Sequence, residues 1–70
     1  MEILEGKGAV ALVVKTGEIE PKKVDETIHQ AGLFPRKMIG DREKTAIFFP
    51  AKERKKVQGL HSLLTIVTAQ

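Results

Sequence analysis

The stretch that decides the fold is GAVALVVKTG, residues 8–17. Six consecutive apolar residues, Ala9 to Val14, stand between two glycines. The shortness of this run and its valines favour a β-strand over a helix. Because apolar residues fall on both faces of the run, both faces have to be covered or nearly so, and this predicts a central strand of a sheet.

A helix is predicted downstream of this strand, over residues 20–33, EPKKVDETIHQAGL. Pro21 suits the first helical position, where its missing N–H costs nothing. Apolar residues at i, i+4 and i+7 form one stripe that faces the core. Gly32 is placed to end the helix in the left-handed conformation, with Leu33 as the hydrophobic contact that accompanies such an ending.

Two short β-prone runs, residues 35–40 and 44–49, flank the polar link DREK and predict a β-hairpin. The first run is short and basic, which suits an edge strand. The second run is more apolar and fits an interior position in the sheet.

The last part of the chain predicts a second helix over residues 50–64 and a final strand over residues 63–70. Val57, Leu60 and either Leu63 or Leu64 form the buried stripe of that helix. The tail LLTIVTAQ is rich in β-branched residues and therefore indicates a strand. The opening MEILEG is interpreted as either a short edge strand or a loose end.

This order of elements predicts one α+β domain over residues 1–70 with the ferredoxin-like βαββαβ arrangement. Two right-handed crossovers would place both helices on one face of a four-stranded antiparallel sheet, in the spatial order 4-1-3-2. The two strands predicted to be interior are then central, and the strand predicted as an edge lies at an edge.

One face of such a sheet has no helix over it. Residue alternation in the strands puts four apolar residues on that face, namely Ala9, Ala11, Val13 and Phe48. Monomers rarely expose a contiguous apolar patch of more than a few hundred Å². We expect the face to be covered by a second copy of the chain, and the alternatives are a larger partner or a nucleic acid.

The composition limits the class of protein. The chain has 70 residues, no cysteine and a net charge of +3, with 41% apolar and 30% charged residues. A core this thin is marginally stable alone, and disulfides are excluded, which favours a homodimer. We expect no signal peptide, no membrane span and a cytoplasmic location.

The sequence carries no recognisable catalytic or metal-binding motif, and we expect a non-enzymatic protein without a cofactor. Ser62 and His61 are neighbours on a predicted helix and point apart. His29 and His61 fall at opposite ends of two antiparallel helices, so a shared metal site is not expected. Glu18 and Glu20 have alternative roles as a general-base or cation-binding pair or as residues of a solvated loop.

The clusters of cations leave several interpretations open. Lysine and arginine residues begin the second predicted helix and flank the hairpin: Arg36, Lys37, Arg42, Lys44, Lys52, Arg54, Lys55 and Lys56. They form either a solvated face partly neutralised by carboxylates, a nucleic-acid or anion contact, or a surface for an acidic protein. Base stacking on the sheet is disfavoured because Phe48 is the only aromatic candidate on the central strands.

The order of the predicted elements, Gly17 after the first strand, and HQAGLFPRKMIG (29–40) leading into the second strand together resemble an ACT-type regulatory domain. Such domains pair sheets or helices between subunits and bind a small effector, such as an amino acid, at the interface. The resemblance implies an effector site in the loop after the first strand, at Lys15, Thr16, Gly17 and Glu18.

Overall fold

The computed structural model describes residues 1–68 and shows an α+β fold with a four-stranded antiparallel sheet and two helices. The elements follow in the order β1 (Glu2–Gly6), β2 (Ala9–Lys15), α1 (Pro21–Gln30), β3 (Lys37–Gly40), β4 (Lys44–Pro50), a single 3₁₀ turn (Ala51–Glu53) and α2 (Arg54–Thr68). None of the helices in this part of the chain has the length and apolar character needed to cross a membrane.

The sheet has the strand order β1-β2-β4-β3, with every neighbouring pair antiparallel. The predicted central strand is β2, which pairs along its whole length with β4 and from Ala9 to Val13 with β1. The predicted hairpin is β3–β4, and its basic first strand lies at an edge of the sheet. The central positions of β2 and β4 and the edge position of β3 are therefore confirmed.

Both helices pack on one face of the sheet, as predicted. The core consists of alternate residues of β2 and β4 together with the apolar stripes of the helices: Val10, Leu12, Val14, Ile19, Val24, Ile28, Leu33, Ile47, Phe49, Val57, Leu60 and Leu64. Val10, Leu12 and Val14 form the larger of the two apolar sets in β2, and they face the helices because bulkier side chains fill the space between helix and sheet.

Helix α1 ends as its sequence predicts. Gly32 has φ +73°, a conformation that glycine adopts without steric cost. The Leu33 N–H donates to the Ile28 carbonyl at 3.1 Å, and the Leu33 side chain is fully buried. This arrangement ends the helix and directs the chain back across the domain towards β3.

The predicted final strand over residues 63–70 is wrong where the structure describes it. Residues up to Thr68 belong to α2, and residues 69 and 70 lie outside the described residues. Leu60 and Leu64 lie one turn apart and are both buried, whereas Leu63 is 52% exposed. The Thr65 hydroxyl donates to the His61 carbonyl at 2.8 Å, so this β-branched residue satisfies its polar group inside the helix.

The sheet position predicted for the final strand is occupied by β1, at the other end of the chain. The tight turn at Lys7 and Gly8 joins β1 to β2 as a hairpin, and a local hairpin closes a much shorter loop than a return from the C-terminus would. The βαββαβ order and the spatial order 4-1-3-2 are therefore replaced by ββαββα and 1-2-4-3.

A matched pair of alanine variants tests the helical assignment of the tail. We expect Leu64→Ala to lower the free energy of unfolding by about 2–5 kcal/mol, because it empties a fully buried position. The neighbouring Leu63→Ala should change stability by less than about 0.5 kcal/mol, because Leu63 faces solvent. Urea unfolding monitored by circular dichroism measures both, and equal losses would contradict the assignment.

Candidate functional site

The strand register brings the predicted self-association residues together on the face of the sheet opposite the helices. Leu4, Ala11 and Phe48 are cross-strand neighbours in one row, with Lys37 at the β3 edge. The next row contains Glu2, Val13, Ala46 and Ile39. We call this surface the open face, and its apolar residues are Leu4, Ala9, Ala11, Val13, Ile39, Ala46, Phe48 and Pro50.

The exposed apolar area of the open face lies mainly at the two edges of the sheet. Leu4 on β1 is 54% exposed and Ile39 on β3 is 51% exposed, while Ala9, Ala46 and Phe48 are half-buried. Ala11 and Val13 are only 6% exposed because their neighbours on β1 and β4 shield them. Strand alternation identifies Ala11 and Val13 from sequence, but Leu4 and Ile39 become part of this surface only once β1 and the register are known.

The predicted effector loop lies at one end of the sheet, which we call the loop end, beside the β3–β4 hairpin. The Thr16 N–H donates to the Glu43 carbonyl at 2.8 Å and so joins the loop to the hairpin. The Glu18 N–H donates to the Lys15 carbonyl at 3.0 Å, and Gly17 has φ +85° in this turn. The loop is therefore a defined turn, with one backbone hydrogen bond within it and another to the hairpin.

Both carboxylate oxygens of Glu18 are used within the chain. Oε2 accepts a hydrogen bond from the N-terminal amine of Met1 at 2.7 Å, and Oε1 accepts one from the Lys15 N–H at 3.1 Å. These two hydrogen bonds hold the pKa of Glu18 below its ordinary value, and the bond from the amine has the larger influence. Glu18 therefore fastens the start of β1 to the loop.

A cleft of about 390 Å³ opens between this loop, the first turn of α1 and the β3–β4 pair. We call it the loop cleft. Its lining is mainly apolar, with Lys15, Thr16, Glu20 and Thr45 as the polar exceptions, and the apolar contributors are Val14, Ile19, Pro21, Val24, Met38 and Ile47. Met38 is 56% exposed although its neighbour in the register is the buried Ile47. The helices therefore leave the edge strand uncovered on their own side of the sheet.

The predicted nucleic-acid contacts divide between the two ends of the sheet. Arg42 and Lys44 lie in the hairpin at the loop end, whereas the other six predicted cations lie where β3 begins and where β4 passes into α2. With Lys7, this second end holds seven of the 12 lysine and arginine residues but only two of the nine carboxylates, Glu5 and Glu53. We call it the basic end, and its local excess is five positive charges.

The carboxylates at the basic end neutralise few of its cations. Arg54 Nε lies 3.6 Å from Glu5 Oε1, and Lys56 Nζ lies 3.5 Å from Glu53 Oε2, with both cations more than half exposed. Surface ion pairs of this kind contribute little energy. The Ala51 N–H donates to the Gly8 carbonyl at 3.4 Å, so the β1–β2 turn and the start of α2 form one surface with Lys52 beside it.

The histidines do not form a shared site. His61 Nε2 lies 3.4 Å from the Met1 carbonyl oxygen, near the loop end, while His29 is in the last turn of α1 towards the basic end. Among residues 1–68, no group of three or more histidine, cysteine, aspartate or glutamate residues is placed to hold a metal ion. The expectation of a non-enzymatic protein stays a prediction.

Comparison of the chain with protein-family models, curated protein sequences and solved structures finds no match. The resemblance to ACT domains therefore stays a prediction.

Proposed function

We propose that this protein is a non-enzymatic interaction module that self-associates through its open face and binds a small ligand in the loop cleft. The observation that supports it most is the apolar open face, which is exposed mainly at Leu4 and Ile39 and which no helix of the described chain covers. A 70-residue chain without cysteine gains most from such an interface, because its own core is thin.

The charges around the open face favour an antiparallel arrangement of the two sheets. Lys15 and Lys44 are paired in the register and share the row nearest the loop end. If the strands of the two copies ran in the same direction, these lysines would face their counterparts and repel them. In the opposite direction, they lie over the partner's Ala9 and Pro50, and Phe48 lies over the small side chain of the partner's Ala46.

The size of the face sets the expected strength of association. Four strands at a spacing of about 4.8 Å, with about five residues each at 3.3 Å, give a face of roughly 300 Å². Two such faces bury less than the roughly 1,200 Å² that marks the lower limit of stable interfaces. We therefore expect a reversible dimer whose population rises with concentration.

Replacing one exposed residue on the open face tests the interface. We expect Leu4→Lys to weaken dimerisation at least about tenfold, because it replaces an exposed apolar side chain of the contact with a hydrated charge. Phe34→Lys is the matched control, since Phe34 is 76% exposed but lies outside the open face. Sedimentation equilibrium measures both, and a wild-type chain that stays monomeric at millimolar concentration would contradict the proposal.

The loop cleft supports the second half of the proposal. Its volume of about 390 Å³ lies within the range of small-molecule sites, and its lining combines apolar side chains with few polar groups. Of the effector-site residues that the ACT resemblance implies, Lys15, Thr16 and Gly17 line this cleft, whereas Glu18 does not. We expect its ligand to be a small, largely apolar molecule.

A pair of β3 variants tests the loop cleft. In a screen of small aromatic and aliphatic molecules by amide NMR shifts, we expect hits to move the signals of Gly17, Val24 and Thr45. Met38→Lys should weaken a hit about fivefold, because roughly 1 kcal/mol of apolar contact is lost. Ile39→Lys, which changes the opposite side of the same strand, should leave affinity unchanged. A screen without hits at these residues would contradict a ligand site.

The basic end favours a second candidate function, namely binding to the phosphate backbone of a nucleic acid. Seven cations with only two nearby carboxylates form the kind of surface that polyanions contact. This end meets the open face at Lys37 and near Ala9, and most of its cations lie on the 3₁₀ turn and the start of α2, outside the open face, so backbone contact there is compatible with the proposed dimer.

Charge-reversal variants test whether a nucleic acid binds at the basic end or is attracted equally to cations elsewhere on the protein. We expect Lys52→Glu/Lys55→Glu to reduce binding of a 20-base-pair DNA or RNA duplex at about 50 mM salt at least tenfold and to flatten its salt dependence. Lys22→Glu/Lys23→Glu carries the same charge change at the loop end and should reduce binding less. Fluorescence anisotropy measures both, and equal effects would show that the basic end has no particular role.

A further inference from the structure

The outer edge of β3 presents unpaired backbone groups. β3 is the last strand of the sheet and pairs with β4 only, within residues 1–68. The Asp41 N–H donates to the Lys44 carbonyl at 2.9 Å, which fixes the phase of this antiparallel ladder. Because residues alternate along such a ladder, Lys37 and Ile39 bond towards β4, and Met38 and Gly40 direct their N–H and C=O groups outward.

We propose that the edge of β3 is a second self-association surface, at which two copies join antiparallel and their sheets become one continuous sheet. The register that uses both outward residues places Met38 opposite the partner's Gly40, and the same pair recurs by the two-fold symmetry. Each pair exchanges two backbone hydrogen bonds. A register that placed Met38 opposite the partner's Met38, or Gly40 opposite the partner's Gly40, would pair fewer of the outward N–H and C=O groups.

The side chains fit this register on the open side of the sheet. Ile39, which is 51% exposed, lies on the symmetry axis against the partner's Ile39. Lys37 lies opposite the partner's Asp41, so each interface carries two pairs of opposite charge. The position of Asp41 is fixed within its own hairpin, because its Oδ1 accepts the Glu43 N–H at 2.7 Å and the Lys44 N–H at 2.9 Å.

The ends of the strand limit the interface to these residues. Arg36 would lie opposite the partner's Arg42, but Arg42 is in the bend of the hairpin, beyond the end of β3. Edge strands that avoid pairing are short and charged, and β3 has four residues with one lysine. In this register, however, the lysine is matched by an aspartate, so the charge selects one partner alignment.

Edge pairing also changes the loop cleft, a consequence that rests on the proposed function. Met38 forms part of the cleft wall next to the outer edge of β3. The partner's Gly40 would lie beside Met38, and its lack of a side chain keeps the mouth of the cleft open. A ligand in the loop cleft would then lie next to a subunit boundary.

A single cysteine tests the register. The chain has no cysteine, so Ile39→Cys gives one thiol on the proposed symmetry axis. Residues at a non-hydrogen-bonded antiparallel position have Cα atoms about 4.5 Å apart, within the range of a disulfide. Under mild oxidation we expect Ile39→Cys to form covalent dimers at least tenfold faster than Phe34→Cys, an exposed control that measures random collision.

A proline at the outward position provides the second measurement. Met38→Pro removes an outward N–H and leaves the ladder with β4 in place, so it should abolish the rate advantage of Ile39→Cys. Gly40 is not substituted, because a Cβ there would lie 3.0 Å from Thr45 Oγ1. Circular dichroism verifies that Met38→Pro is folded. Ile39→Cys oxidising no faster than Phe34→Cys would overturn the edge pairing.

The open-face variant keeps this result separate from the proposed function. In a Leu4→Lys background, we expect rapid oxidation of Ile39→Cys to persist, because Leu4 lies on β1 at the opposite edge of the sheet. Loss of the rate advantage in that background would overturn an independent edge interface. A rapid reaction combined with unchanged sedimentation of Leu4→Lys would support the edge and contradict the open face.

Discussion

The structure depends on the pairing of β2 with strands on both of its sides. Every residue from Ala9 to Val13 has a cross-strand neighbour on both β1 and β4, and Val14 and Lys15 pair with β4 alone. Val10, Leu12 and Val14 then meet the helices, and the residues between them face the other way. Because the helices are on one side only, alternate side chains of β2 enter the core and the remaining ones form part of the open face. A continuous apolar run in a two-layer fold thus leaves apolar residues on the side away from the core.

The sequence predicts those parts of the fold that local chemistry decides. The glycine ending of α1, the β3–β4 hairpin and the central place of β2 depend on nearby residues and are confirmed. The fourth place in the sheet depends on a competition between the two ends of the chain. Both MEILEG and LLTIVTAQ have β-prone residues, and local propensity does not decide between them. Leu60 and Leu64 are buried on one helical stripe, and β1 reaches β2 through a short hairpin. The N-terminal segment therefore takes the fourth place in the sheet, and the C-terminal segment is helical.

The candidate site was predictable to the same degree. Alternation along β2 and β4 is enough to place Ala9, Ala11, Val13 and Phe48 on one face. The prominence of Leu4 and Ile39 depends on which strands flank the centre, and their exposure follows from that arrangement. The cations were identified by composition as one group, but topology separates Arg42 and Lys44 from the others. In the folded chain both carboxylate oxygens of Glu18 accept hydrogen bonds, and the spacing of residues along the sequence does not predict these bonds.

Methyl NMR with a soluble nitroxide directly measures whether a second copy covers the open face. As protein concentration rises, we expect the Leu4 methyl groups to lose accessibility to the nitroxide, because β1 becomes covered by the partner sheet. The methyl groups of Leu63 and Ile66, which are 52% and 59% exposed on α2, should keep theirs. Equal and unchanged accessibility of all three residues at every concentration would contradict the account.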